Sequence, residues 1–234
     1  MPSSLSITWY GHGTFVLVSP GGKRIVIDPW LTDNPSCPAD HKTIEVADLM
    51  LLTHGHPDHI GDAVPVARAT GAPIVAPNEL GHYLARKGLQ NIHRMNIGGT
   101  KRMLGLAITM VYAVHSSSIQ DGGQLVYLGP ATGFVIKFET DLTVYFAGDT
   151  ALFGDMRLIG EIHRPDIAFL PIGDNFTMGP EDAARACGML GVRQVVPMHY
   201  GTNPQLTGTP EVLRALVEPR GIEVLELKPG QTSE

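Results

Sequence analysis

The residues with the clearest capacity for chemistry form one hexapeptide, His54-Gly55-His56-Pro57-Asp58-His59, which holds three imidazoles and a carboxylate. Neutral imidazole and carboxylate are the ligands that zinc and its first-row neighbours prefer in proteins. An apolar run at residues 46–53 precedes the hexapeptide and predicts a buried strand. Because open α/β sheets hold their ligand sites where strands end, the hexapeptide predicts a metal site rather than a solvated turn.

Three further side chains of metal-binding type each follow an apolar, strand-like run. They are His115 after residues 106–114, Asp149 after residues 142–148 and His199 after residues 195–198. Their recurrence at predicted strand ends makes all three candidate ligands. For Asp149 a helix N-cap is the competing interpretation, because a helix could begin at Thr150. For the two histidines the alternative is a hydrogen-bonded residue at a strand end.

The hexapeptide matches the H-x-H-x-D-H signature of the metallo-β-lactamase superfamily, and the chain resembles that family from end to end. The resemblance implies a mixed α/β (α+β) fold, the αββα four-layer sandwich, as a single domain over residues 1–234. It also implies two divalent ions, zinc first, with manganese, iron or nickel compatible with the same donors. The implied ligands are His54, His56 and His115 for one ion, and Asp58, His59 and His199 for the other, with Asp149 bridging both.

Two patterns near the N-terminus resemble the lactonase-like branch of the superfamily, which includes ascorbate-6-phosphate lactonase and a group of small predicted bacterial and archaeal hydrolases. They are His12 within residues 9–15 and Asp28 before Pro29. We expect Asp28 to orient a ligand imidazole, with a turn-capping role as the alternative. We expect His12 to contact substrate or stabilise charge, with simple packing as the alternative. The other expected pocket residues are Ser116, Asn175 and Thr202.

Composition restricts the partners. The chain is 43 % hydrophobic and 17 % charged, as in an ordinary globular protein, and its net charge is -6. A small-molecule substrate is therefore expected and nucleic acid is not, because phosphate backbones require clustered basic residues. The sequence contains neither a membrane-span candidate nor a secretory signal pattern, so we expect a cytoplasmic protein without membrane contact. A homo-oligomer is compatible with the sequence.

Hydrophobic periodicity predicts three strands near the N-terminus, with a hairpin turn at residues 20–22, and strand–helix alternation in the later part. Helices are predicted within residues 60–70, 79–87, 154–160, 180–190 and 210–217, and later strands at residues 166–170, 194–196 and 222–227. Pro65 predicts that the first of these helices is kinked or begins late. Residues 115–133, rich in Gly and Ser, predict either an anion-binding loop or a solvated one. Cys187 is predicted to lie in the core, and so is not expected to react. Cys37 is a less favoured candidate nucleophile or ligand.

The leading hypothesis is a hydrolase in which a metal-bound hydroxide cleaves a small ester, lactone or phosphodiester. Asp58, which could orient or deprotonate the water, and the bridging Asp149 are the expected catalytic residues. A di-iron redox enzyme is the first alternative, although such relatives typically carry a carboxylate at the position of His56 and a fused flavin module. A phosphodiesterase or nuclease acting on nucleic acid and a non-catalytic metal-binding protein are the others.

Overall fold

A six-stranded sheet is built by the N-terminal part of the chain in the computed structural model, which describes residues 4–233. Its strands lie in sequence order: β1 (Ser6–Trp9), β2 (Phe15–Val18), β3 (Arg24–Ile27), β4 (Leu49–Leu51), β5 (Ile74–Pro77) and β6 (Ile92–Met95). The first three are antiparallel, and β3 to β6 are parallel. The predicted hairpin between β2 and β3 is confirmed, and the Ser19 and Lys23 backbones close it at 2.8 Å.

A seven-stranded sheet is built by the later part of the chain. In chain order its strands are β7 (Thr100–Met103), β8 (Leu106–Tyr112), β11 (Thr132–Lys137), β12 (Thr143–Phe146), β13 (Ile167–Pro171), β14 (Gln194–Met198) and β15 (Glu223–Val224). The strands β8, β11 and β12 are antiparallel, and β12 to β15 are parallel. Each sheet therefore has an antiparallel part followed by a parallel part. The residue pattern did not reveal this similarity between the two sheets.

Six α-helices cover the outer faces of the sheets within the described residues. They are α1 (Pro57–Ile60), α2 (Ala63–Thr70), α3 (Asn78–Arg86), α4 (Met156–His163), α5 (Pro180–Leu190) and α6 (Pro210–Val217). The predicted bounds of α5 and α6 are confirmed, with a proline in the first turn of each. No helix within residues 4–233 has the length and apolar content needed to span a bilayer.

The two sheets pack face to face through aromatic side chains. The ring of Phe15 meets those of Phe146 and Phe169 edge-on, with centroids 5.8 Å and 5.0 Å apart. On the outer face of the first sheet, β-strand residues such as Val26 share a second apolar cluster with Leu80 of α3. On the outer face of the second sheet, α4, α5 and α6 contribute to the main core. The layers therefore run helix, sheet, sheet, helix, and the predicted αββα sandwich is confirmed.

Three predicted elements differ from the structure. The helix expected within residues 60–70 begins late, at Ala63, with Pro65 in the first turn of α2, and residues before Gly61 belong to the separate helix α1. The strand expected at residues 222–227 pairs only over Glu223–Val224. The stretch expected to be a loop at residues 115–133 contains an antiparallel hairpin, β9 (Ser118–Asp121) and β10 (Gln124–Tyr127), whose Ile119 and Val126 pack against the second apolar cluster.

Candidate metal centre

Three predicted ligands from two loops form a first group, His54, His56 and His115. Their ring nitrogens converge: His54 Nε2 lies 3.1 Å from His56 Nδ1, and His115 Nε2 lies 3.3 Å from the same atom. The hexapeptide follows β4 and its last residues form α1, whereas His115 follows β8. Gly55 lets the hexapeptide lie close to the segment that follows β10, because a Cβ at this position would collide with the Leu128 side chain.

A second group contains Asp58, His59 and His199. One oxygen or nitrogen from each of these residues, together with one from His12, lies within 4.8 Å of the others. His199 follows β14, so this group joins the N-terminal and C-terminal sheets. Gly13 admits the His59 ring, since a Cβ there would come within 2.6 Å of its Cε1 atom.

Asp149 lies between the two groups. Its Oδ2 atom is 3.0 Å from His199 Nε2 and 3.5 Å from His115 Nε2, and its Oδ1 atom is 3.2 Å from His59 Nε2. The alternative of a helix cap is wrong, because α4 begins only at Met156 and Asp149 is followed by irregular backbone. The carboxylate is buried, with only 2 % of the residue exposed, and it contacts both groups.

The ionisable side chains of the centre shift one another's pKa values. Burial lowers the pKa of His54 well below its usual range, and the neighbouring His59 lowers it further. Burial also disfavours the charged form of His59, but Asp149 and Asp28 outweigh it and hold the His59 pKa well above its usual range. For Asp149 burial favours the neutral form, yet His199 and His59 hold its pKa well below the ordinary value. The centre therefore favours ionised carboxylates beside positive charge.

The predicted orienting role of Asp28 is supported by its contacts. This buried carboxylate accepts the His59 Nδ1 proton at 2.8 Å and the Thr53 backbone N–H at 2.8 Å. The Thr53 hydroxyl donates to Asp28 Oδ2 at 2.5 Å and accepts from His54 Nδ1 at 2.9 Å. These bonds direct the Nε2 atoms of both histidines towards the centre. Burial raises the pKa of Asp28, and the bonds from His59 and Thr53 oppose that rise.

His12 and Thr202 lie beside the second group. The His12 Nε2 atom is 3.1 Å from Asp58 Oδ2, and its Nδ1 atom is 2.7 Å from Thr202 Oγ1. Burial lowers the pKa of His12 to about 4, and the adjacent His199 acts in the same direction. Packing alone therefore does not describe His12, because both of its ring nitrogens have polar partners.

The remaining predicted residues differ in position. The Ser116 hydroxyl is exposed and lies 3.3 Å from His56 Nε2. Asn175 lies on an exposed turn, and within residues 4–233 its hydrogen bonding is limited to the backbone N–H, which donates to Asp174. Cys37 is buried, its thiol contacts backbone carbonyls, and burial raises its pKa. This environment disfavours the thiolate form that Cys37 would need as a nucleophile.

Sequence reasoning missed three hydroxyl residues that hold the ligand loops. Thr53 links Asp28 to His54, the Ser117 hydroxyl accepts the Gly55 N–H at 3.0 Å, and the Thr150 hydroxyl accepts the Val114 N–H at 3.0 Å. Each is adjacent, within two residues, to a predicted ligand. That adjacency was the available signal, but hydroxyl residues are common in loops and the pattern alone did not single them out.

Comparison with known proteins identifies the family. Residues 23–200 match the family model described as a beta-lactamase superfamily domain, which covers most of the chain. The chain belongs to the metallo-β-lactamase superfamily. A UPF0173 metal-dependent hydrolase from Koribacter versatilis is 50 % identical over 228 residues, which are 97 % of this chain and 97 % of that protein.

Solved structures of this superfamily agree. Igni18, a metallo hydrolase from the archaeon Ignicoccus hospitalis, superposes with a TM-score of 0.87 at 37 % identity, over 98 % of this chain and 97 % of that one. An isothiocyanate hydrolase from Delia radicum gut bacteria superposes with a TM-score of 0.76 at 26 % identity, over 98 % of both chains. The protein is a metal-dependent hydrolase of the metallo-β-lactamase superfamily.

Proposed function

We propose that this hydrolase holds two divalent ions, zinc in the first instance, and cleaves a small ester, lactone or phosphodiester. The observation that carries the proposal is the position of Asp149. Its carboxylate contacts His54 and His115 on one side and His59 and His199 on the other, at 3.0–3.9 Å. Two neighbouring dications repel each other, and a shared carboxylate offsets that repulsion.

The donor atoms fit such ions. Ligands bound at about 2.0–2.1 Å in a tetrahedral zinc site lie about 3.3 Å from each other. The nitrogens of the first group are separated by 3.1 Å and 3.3 Å. Within residues 4–233 the buried atoms His59 Nε2 and Asp149 Oδ1, which lie 3.2 Å apart in the centre, have no hydrogen-bond partner of good geometry. Buried polar atoms normally have a hydrogen-bond partner. Unpaired atoms that face the centre therefore support an ion as their missing partner.

One side of the centre is open to a substrate. His54, His59 and Asp149 are buried, whereas 37 % of the Asp58 side chain and 12 % of the His115 side chain are exposed. Ser116 is exposed on the same side, against His56. We therefore assign the substrate approach to the surface formed by Asp58, His56 and Ser116, opposite the buried Asp28.

The bound ions would supply a water that loses its proton near neutral pH and positive charge for the oxyanion that develops. Asp58 would orient that water and accept its proton. Burial favours the neutral form of Asp58, but the His12 hydrogen bond and the charge of His59 outweigh it and hold the pKa of Asp58 well below its usual range. Asp58 is therefore an ionised acceptor at neutral pH.

The test combines ion content with turnover. Chelator-treated protein is reloaded with Zn²⁺, Mn²⁺, Fe²⁺ or Ni²⁺, ions per chain are measured by elemental analysis, and activity is measured on a carboxylic ester, a lactone and a phosphodiester. An isothiocyanate is added because one structural relative is an isothiocyanate hydrolase. We expect two ions per chain and turnover in at least one class. Protein that retains no ion and turns over none of these substrates would contradict the proposal.

A further inference from the structure

His12 is held by a tight turn before β2. Its carbonyl oxygen accepts the Trp9 indole N–H at 2.9 Å and the His199 backbone N–H at 3.1 Å. The backbone of His12 is in the left-handed region, with φ 56°. Such conformations are unfavourable for residues with a Cβ and persist where the surroundings enforce them, often at functional sites. The turn therefore fixes the His12 ring directly beside the second group.

The contacts of the His12 ring show which of its nitrogens donates a hydrogen bond and which accepts one. An ionised carboxylate only accepts hydrogen bonds, so the His12 Nε2 atom donates to Asp58 Oδ2 across 3.1 Å. In a neutral imidazole the other nitrogen is then an acceptor, and it receives the Thr202 hydroxyl proton across 2.7 Å, a much shorter distance than the 3.4 Å to the competing Tyr200 carbonyl. Thr202 thereby fixes the tautomer of His12, and His12 fixes the orientation of the carboxylate.

We propose that His12 and Thr202 form a positioning pair that orients Asp58 for the ion of the second group. This role rests on the two-ion site proposed above. Asp58 needs such support because its side chain is 37 % exposed, whereas His59 is enclosed and held by Asp28. A carboxylate oxygen has two lone pairs, so Oδ2 accepts the His12 proton and still faces the centre. Within residues 4–233 the ring nitrogens of His12 pair with Thr202 and Asp58, and its ring lies against that of His199, all outside the first group.

The alternative is that His12 itself binds the ion, because its ring also belongs to the cluster with Asp58, His59 and His199. In the structure both His12 nitrogens are engaged, one by a carboxylate and one by a hydroxyl. A directly binding His12 would need to give up its bond to Asp58. The two roles differ in what Thr202 contributes, since only the positioning role requires its hydroxyl to set the tautomer.

The experiment measures the affinity of each Zn²⁺ by calorimetry on chelator-treated protein, with ion content by elemental analysis and folding by a melting curve. The variants are His12→Asn, Thr202→Val and Thr202→Ser. Asparagine suits the left-handed backbone at position 12 but is too short to replace the ring. Thr100→Val is the matched control, because it removes the exposed hydrogen bond between the hydroxyls of Thr100 on β7 and Thr109 on β8.

We expect His12→Asn to weaken the second ion by about 10–100-fold and to leave the first unchanged, as is typical when an orienting partner is removed. Thr202→Val should weaken the same ion by about threefold to tenfold, the range for one lost hydrogen bond. Thr202→Ser should bind as wild type does, and so should Thr100→Val.

Two unchanged affinities in His12→Asn would overturn the positioning pair. Loss of the second ion in His12→Asn with wild-type affinity in Thr202→Val would also overturn it, because that combination identifies His12 as a ligand. Wild-type protein that binds fewer than two ions would contradict the two-ion site, and the proposal would fall with it. The ion content of the wild-type protein alone would show that outcome, so it is distinguishable from a failure of the positioning pair.

Discussion

The two groups of the metal centre differ in how their side chains are held. In the first group, the buried Thr53 hydroxyl holds His54, whereas within residues 4–233 the Nε2 atom of His56 pairs with the exposed Ser116 hydroxyl. In the second group, every candidate ligand has a buried partner from a distant part of the chain: Asp28 holds His59, His12 holds Asp58, and the His12 carbonyl accepts the His199 N–H. The second group therefore has a buried support for each of its three members, and the first group does not.

Backbone conformation shows the same difference. His12, Asp28 and His199 have φ values of 56°, 46° and 55°, whereas none of the first-group histidines lies in the left-handed region. Each such residue costs about 1–3 kcal/mol unless the surrounding structure compensates it. Strain concentrated beside the second group indicates that this half of the centre is shaped at some expense of stability. We infer that its geometry matters more to the reaction than that of the first group.

The largest effect is expected from Asp149→Ala, which removes the carboxylate that the two groups share. At least one ion should be lost and turnover should fall to background, because nothing then offsets the repulsion between the ions. Elemental analysis and the substrate panel measure both quantities. The matched control is Asp155→Ala, because the side chain of Asp155 makes no capping bond at the start of α4 and lies outside the centre.

Two ions per chain in Asp149→Ala, with the fold intact by its melting curve, would refute the bridge. A simple loss of about 1 kcal/mol in stability with full ion content is the result expected of a helix cap, which the structure excludes.

Asp28→Asn should affect the second group most, because Asp28 bonds directly to His59 and reaches His54 of the first group through the Thr53 hydroxyl. With the amide NH₂ on the side of His59 Nδ1, the ring would have to accept there and carry its proton on Nε2, the atom directed at the centre. We expect about 10–100-fold weaker binding of the second-group ion and a smaller loss, about threefold to tenfold, for the first-group ion. Asparagine tolerates the positive φ at this position, so the fold should persist. Equal weakening of both ions would contradict this unequal support of the two groups.

Thr53→Val tests the hydroxyl group that links Asp28, beside the second group, to His54 in the first group. Its hydroxyl serves Asp28 on the side of the second group and His54 in the first, so both ions should bind about threefold to tenfold more weakly. Thr53→Ser keeps the hydroxyl and should restore both affinities. Calorimetry with Zn²⁺ distinguishes these equal losses from the unequal losses expected of Asp28→Asn; a change confined to one ion would remove Thr53 as the link.

Much of the fold was predictable because its signals are local. The helices α5 and α6 begin at prolines that suit a first turn, and α5 ends at Gly191 with φ 69°. The hexapeptide predicted candidate ligands for the same reason, and its side chains lie in both groups. The bond between His12 and Asp58 was not predictable, since 46 residues separate them and only the tertiary fold brings them together. The hairpin β9–β10 was hidden because its pairing, in a Gly-rich stretch, depends on packing against the second apolar cluster.

The smallest effect concerns Tyr145, which lies in the core and outside both groups. Its buried hydroxyl has no hydrogen-bond partner among residues 4–233, so Tyr145→Phe should stabilise the protein by about 1 kcal/mol and leave both ion affinities unchanged. Burial raises the pKa of Tyr145 above its ordinary value of 10.0. Above pH 10 the unfolded chain therefore loses this proton more readily than the folded protein, and stability falls as the pH rises.

Tyr145→Phe removes that contribution, so its advantage over wild type should grow above pH 10 in denaturant melts of chelator-treated protein. An advantage that shrinks with rising pH would contradict the burial of a neutral phenol at this position.

The most direct test of the two-group centre is a crystal structure grown with Zn²⁺, with diffraction recorded on both sides of the zinc absorption edge. The account predicts two anomalous peaks within coordination distance of Asp149. One should lie among His54, His56 and His115. The other should lie among Asp58, His59 and His199. A single peak, or two peaks that the Asp149 carboxylate does not contact, would contradict it.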